Sequence, residues 1–233
     1  MSRTAKVFGI IFLVLLIDQI LKIWIKTNMT YSQEFGIFGL NWARIHFVEN
    51  PGMAFGIEFG GGYGKLALSM FRIIAVGFLI YYIRQLLRAN APMGLLASFA
   101  LILAGAFGNI IDSAFYGMIF SESTYHTVAT MFPEGGGYAG FLHGKVVDMF
   151  YFPFYEGVLP EWFPLWPGQE VLFFRPVFNI ADSSITTGVL SILIFQRSFF
   201  SSKKEEETPQ TAALEIAPSE SPDFPGNNEK TDN

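Results

Sequence analysis

Four long apolar runs divide the chain, and each is interrupted by only a few polar residues. They cover about residues 7–25, 66–84, 94–112 and 178–199. A helix needs roughly 20 apolar residues to cross a bilayer, so each run predicts a membrane span. Together they predict an all-α membrane protein with four transmembrane helices. Between the first two runs, NWARIHFVEN (41–50) alternates like a half-buried strand, and PGMAFGIEF (51–59) resumes the pattern. Gly60, Gly61, Gly62 and Gly64 then predict a turn. A small β-rich cradle outside the membrane is the expected product. Residues 113–177 form a long outer connection rich in glycine, proline and aromatic residues, with Asp148 set in the apolar patch GKVVDMFYFPF. Residues 201–233 are poor in apolar residues and rich in Glu, Pro, Ser and Asn, the signature of a disordered acidic tail. The domain division is therefore 1–200 for the membrane unit and 201–233 for the tail. Arg3 and Lys6 precede the first run as in a signal peptide, but no small-residue cleavage site follows, which predicts a retained helix.

Composition sharpens this reading. Charged residues make up 15% of the chain and hydrophobic ones 51%, whereas a soluble domain carries about 25% charge. The aromatic share of 17% suits bilayer interfaces. Cysteine is absent, which excludes disulfides, thiolate catalysis and cysteine metal sites. No basic patch points to nucleic acid. There is no HExxH, and His46, His126 and His143 are isolated in sequence, so no metal or cofactor is expected.

The charges inside the spans carry the chemistry. An ionisable side chain near the bilayer centre costs at least ~2.5–3.5 kcal/mol and by default marks a site. Asp18 and Lys22 lie four apart on one helical face, where they can pair. Arg72 lies two turns into the second run; it either snorkels or needs a carboxylate. Asp112 closes the third run, at a helix end where the macrodipole disfavours an acid. Asp182 opens the fourth. Arg3, Lys6, Arg84, Arg88, Arg197, Lys203 and Lys204 flank the spans on one side, against Lys26, Lys65 and Arg175 on the other. The positive-inside rule then makes both termini cytoplasmic. With that topology Asp18, Arg72, Asp112 and Asp182 all fall in the outer leaflet, and Asp148 can fold back to join them. Two carboxylates sharing one proton can activate water while polarising a carbonyl. Membrane carboxylates also serve proton-coupled transporters, although this chain has neither the internal repeat nor the midplane site common in that class.

The segments DQILK (18–22), NPGMAFG (50–56), GNIID (108–112), VVDMF (146–150) and FNIADSSI (178–185) resemble, in order, the motif set of the lipoprotein signal peptidases, or signal peptidase II. That resemblance implies an intramembrane aspartyl protease of the bacterial cytoplasmic (inner) membrane. Such enzymes cleave diacylglyceryl-modified prolipoproteins just before the lipid-modified cysteine. It implies Asp148 and Asp182 as the catalytic dyad, and Asn50 and Gly52 as substrate contacts of the outer loop. It further implies Asn109, Asp112 and Asn179 as pocket residues, with Asp18 and Lys22 as the first-helix motif. The implied partners are lipid-modified precursors and membrane lipid, with activity as a monomer. Where the family often has Arg after the third-helix acid, this chain has Ser113, and Arg72 is a candidate replacement. The connection between Asp112 and Asp148 is also long.

Overall fold

A computed structural model describes residues 1–51, 61–153, 155–162, 167–173 and 176–196. Gly52 and the whole of 201–233 lie outside the described residues, as do 52–60, over which PGMAFGIEF was expected to resume a strand. Helix α1 spans Arg3–Asn28. Its N-cap Ser2 accepts a hydrogen bond from the Ala5 amide at 3.1 Å, satisfying one of the orphan donors of the first turn. The burial pattern of α1 is inside-out. Asp18, Lys22 and Lys26 are each 0% exposed, while Phe8 and Phe12 are 68% and 66% exposed. In water that arrangement would be untenable. In a bilayer it is the expected one, because lipid solvates the phenylalanines and the protein interior must solvate the charges.

Helix α2 is Gly61–Arg88 and α3 is Met93–Ile111. Both α1 and α2 pack against α3, which is the hub of the bundle. The last helix, α5, runs Ile180–Phe195. Small residues let it approach α3: a Cβ on Gly105 would collide with the Ala181 carbonyl and the Ser184 hydroxyl, and one on Gly188 with the Ser98 carbonyl. Three helical stretches, Arg3–Asn28, Leu66–Arg88 and Met93–Ile119, are long and apolar enough to cross a membrane; α5 is a shorter apolar helix of 16 residues.

Two expectations change here. The glycine-rich stretch is not a turn from Gly61 onward but the first turn of α2. Glycine costs about 1 kcal/mol inside a helix, yet this is the helix end, and the long apolar run behind it carries the helix through. Asp112 likewise does not end a helix. The backbone widens into a π-type segment over Asp112–Tyr116 and closes with one more turn, α4, Gly117–Ile119. Carbonyls freed by the wider turn are met by the outer connection: Ser113 O accepts from the Gly144 amide at 2.8 Å, and Gly117 O from the Ala139 amide at 2.9 Å. The part of the long connection around residues 139–144 is therefore folded against the end of α3.

The sheet has the order β1-β2-β3-β6, with β1 Glu34–Gly36, β2 Arg44–Asn50, β3 Val146–Tyr151 and β6 Val177–Phe178. A separate antiparallel pair joins β4, Tyr155–Val158, to β5, Glu170–Phe173. Within the main sheet all neighbours are antiparallel, and Val48 stands opposite Asp148. Phe47, Val147 and Met149 turn one face of the sheet onto Ile25 and Met29 of α1 and onto Tyr116 and Phe120. Alternation along a strand then sends Asp148 to the other face. Strand β6 runs straight into α5, so the sheet delivers Asp148 and the start of α5 to the same place.

Candidate active site

Asn179 is the N-cap of α5 and makes the site one unit. Its side-chain oxygen accepts from the Asp182 amide at 2.9 Å, and its own amide donates to Asp182 Oδ2 at 3.4 Å. That reciprocal exchange between the cap and the third residue of the helix is a capping box. It explains why Asp182 sits where it does: an anion in a first helical turn is favoured by the macrodipole. The side-chain amide of the same Asn179 donates to Asp148 Oδ1 at 2.7 Å, and also lies 3.2 Å from Asn109 Oδ1. Asn109 in turn donates to Asp182 Oδ1 at 2.8 Å. Two asparagines thus hold two aspartates from distant parts of the chain.

Asp148 is 4% exposed. Burial pushes its carboxyl up to about 7, and the nearby Asp182 charge adds to this; Lys22 and hydrogen bonds from Asn50 and Asn179 act in the opposite sense. The pocket floor is a separate charge cluster. Lys22 Nζ lies 2.9 Å from Asp18 Oδ2, 2.8 Å from Asp112 Oδ2 and 3.0 Å from Asn109 Oδ1. Asp18 also accepts from the Ala181 amide at 3.0 Å, tying α1 to the first turn of α5. Asp112 accepts from the Val147 amide at 3.3 Å, tying the end of α3 to the strand that carries Asp148. Arg72 is half-buried and interacts electrostatically with Asp182 foremost, then with Asp148 and Asp112. Lys22 brings a positive charge to within hydrogen-bond distance of Asp112, while Ser113 donates to the Asn109 carbonyl at 3.0 Å.

Among the described candidates the structure brings together Asp18, Lys22, Asn50, Arg72, Asn109, Asp112, Asp148, Asn179 and Asp182. Ser183 and Ser184 donate back to helix carbonyls, as serine does in a helix start. His46 pairs with Glu34 at 2.9 Å on the β1–β2 edge, and no cluster of metal-ligating residues occurs among the described residues. A cleft of about 450 Å³ opens beside Asp182, lined by Pro176, Phe178, Ser183, Thr186 and Thr187. A chain entering along α5 would meet Asp182 there.

Sequence reasoning missed Gln19. Its amide donates to Asp18 Oδ2 at 3.1 Å and Asp112 Oδ1 at 3.0 Å, and its carbonyl accepts from the Tyr116 hydroxyl at 3.1 Å. The signal was there: an amide inside a span needs partners as much as a charge does. Lys26, counted among the flanking cations, is instead buried in an ion pair with Glu49.

A family model described as signal peptidase (SPase) II matches residues 10–199. The lipoprotein signal peptidase of Porphyromonas gingivalis is 52% identical over 189 residues, covering 81% of each chain. That of Amoebophilus asiaticus is 39% identical over 200 residues, covering 84% of this chain and 80% of its own. A solved bacterial membrane enzyme superposes with a TM-score of 0.53 at 24% identity over 86% of this chain and 93% of its own, which bears on the fold. With the motif order, the aspartate pocket and these relatives in agreement, the chain belongs to the signal peptidase II family of aspartic peptidases.

Proposed function

We propose that this protein removes the signal peptide from diacylglyceryl-modified prolipoproteins, cleaving before the lipid-modified cysteine, with Asp148 and Asp182 as its catalytic pair. The observation that carries the reading is the Asn179 bridge, which grips both carboxylates while leaving Asp182 at the edge of a cleft. Asp148, with its carboxyl pushed up to about 7, holds the proton and donates it toward the scissile carbonyl. Asp182 takes a proton from water, which attacks the carbonyl carbon. The tetrahedral intermediate collapses as the proton passes to the leaving nitrogen. The products are a signal-peptide carboxylate and the free amine of the lipidated cysteine. The two acids titrate as a pair, so the roles belong to the shared-proton state.

The remaining residues shape the pocket. Asn109 and Asn179 orient the pair, Lys22 neutralises Asp18 and Asp112, and Arg72 offsets the negative charge above them. By family resemblance Asn50 and Gly52 contact the substrate. The topology proposed with this reading has four spans, both termini and the tail of 201–233 cytoplasmic, and the pocket at the outer face of the bacterial inner membrane. Burial of Lys26 supports that orientation, because it removes one positive charge from the outer side of the count. The protein acts as a monomer. The deciding experiment incubates purified protein with a lipidated precursor and its unlipidated counterpart. Cleavage of the lipidated one alone is expected; cleavage of neither, or of both equally, overturns the reading.

A further inference from the structure

The face of the sheet opposite the aspartates carries a second buried charge cluster that the proposed chemistry does not use. Lys26 lies one turn beyond Lys22 on α1 and pairs with Glu49; both are nearly inaccessible to solvent. Ser123 Oγ accepts from Lys26 Nζ at 3.0 Å and lies 3.2 Å from Glu49 Oε1. The rings of Tyr138 and Phe120 stand 4.9 and 5.5 Å from the ammonium. Lys145 Nζ, 3.6 Å from Glu49 Oε2 and 3.3 Å from Glu122, closes the cluster towards solvent. One carboxylate of β2 therefore gathers α1 and both limbs of the outer connection.

Stability alone does not call for such a pair, since a buried ion pair can often be replaced by apolar residues without loss. What it supplies is direction. Glu49 directly precedes Asn50, and successive strand residues face opposite sides. Glu49, opposite Val147, faces Lys26. Asn50 faces the other way, and its side chain hydrogen-bonds Asp148. After Asn50 comes Pro51, which has no N–H to extend the ladder. The grip on Glu49 is thus the side-chain anchor that immediately precedes Asn50, the last residue of the strand.

We infer that the Lys26–Glu49 pair is a positioning device that aims Asn50 at Asp148 and fastens the outer connection to the aspartate pocket. Neither residue touches reacting atoms, and the inference rests on the peptidase reading. Its signature is a pH effect. The Asn50 bond favours ionised Asp148, so slackening it lets Asp148 keep its proton to higher pH. The other charged groups around Asp148 are Asp182 on α5, Lys22 on α1, Arg72 on α2 and, through the Val147 amide, Asp112. A net-neutral replacement of Lys26 and Glu49 leaves all four in place.

The test compares the wild type with the apolar double variant Lys26→Met/Glu49→Leu and the swap Lys26→Glu/Glu49→Lys, on a lipidated precursor across pH. The apolar variant is expected to insert and fold, with kcat down about 10- to 100-fold. Its alkaline limb should move to higher pH, and the swap should recover part of kcat. An apolar variant with wild-type kcat and an unmoved limb would overturn the inference. If neither variant folds, the pair is a folding element and the inference is overturned too. A wild type that leaves the precursor uncut brings down the peptidase reading itself, an outcome readily told apart from a loss confined to the variants.

Discussion

Asn179 donates its side-chain amide to Asp148 at 2.7 Å while its side-chain oxygen caps the helix whose first turn holds Asp182. Fixing the N-terminus of α5 and fixing the geometry of the two acids are therefore one act. The consequence is that a cap substitution can separate stability from activity.

Serine caps helices as well as asparagine does, whereas alanine costs about 1 kcal/mol. Serine is nonetheless too short to reach Asp148 from the cap position. Asn179→Ser should therefore melt within a few degrees of wild type yet lose about 10- to 100-fold in kcat. Asn179→Ala should lose both. Thermal melts alongside precursor cleavage check this, and equal activity of Asn179→Ser and wild type would argue against the bridge.

On the proposed mechanism, Asp148→Asn and Asp182→Asn each remove one member of a pair that holds one proton between them. Either change should abolish detectable cleavage while leaving the protein inserted and folded. Near-isosteric amides keep the shape of the pocket, so a gel-based processing assay beside circular dichroism separates the two effects. Normal turnover by either variant would exclude that residue from the pair.

The pH dependence has a definite sign. Asp148 lies at about 7, well above the ordinary 3.8. On the proposed mechanism its proton polarises the scissile carbonyl, so activity should fall as pH rises through about 7. The same displacement tells on stability. Folding favours the protonated form; that contribution is whole below pH 3.8 and is lost as pH climbs towards 7. At about 1.4 kcal/mol per pH unit, the ceiling is on the order of 4 kcal/mol. Asp148→Asn should flatten this part of the stability profile, which denaturation series at several pH values would reveal.

The parts of this arrangement that sequence makes legible are those in which the membrane penalises exceptions. Asp18, Lys22, Arg72, Asp112 and Asp182 stand out because hydrocarbon tolerates few charges, and the spans stand out because length and apolarity alone define them. Asp148 is marked differently, by an acid within VVDMF on a strand buried on both faces. What pattern does not carry is partnership across long separations. Gln19 meets Asp112 from 93 positions away, and Lys26 meets Ser123 from 97. Neither contact leaves a local period. The π-type segment at Asp112 is similarly silent, because the reason for it lies in the connection that hydrogen-bonds to it.

The cluster beneath the pocket gives the sharpest stability prediction. Lys22 is the common partner of Asp18 and Asp112, all three inaccessible to solvent. Breaking a buried pair by removing one partner costs about 3–5 kcal/mol, because the other charge is stranded. Lys22→Met strands two. It should destabilise by at least that amount, lowering the yield of folded protein in detergent. Adding Asp112→Asn removes one stranded charge and, since Gln19 and the Val147 amide also reach Asp112, leaves its site hydrogen-bonded. The double variant should therefore be more stable than Lys22→Met alone, a non-additivity of roughly 1–3 kcal/mol for residues in one network. Additive losses in a double-mutant cycle would mean that Lys22 stabilises the bundle by packing and not by neutralising the two acids.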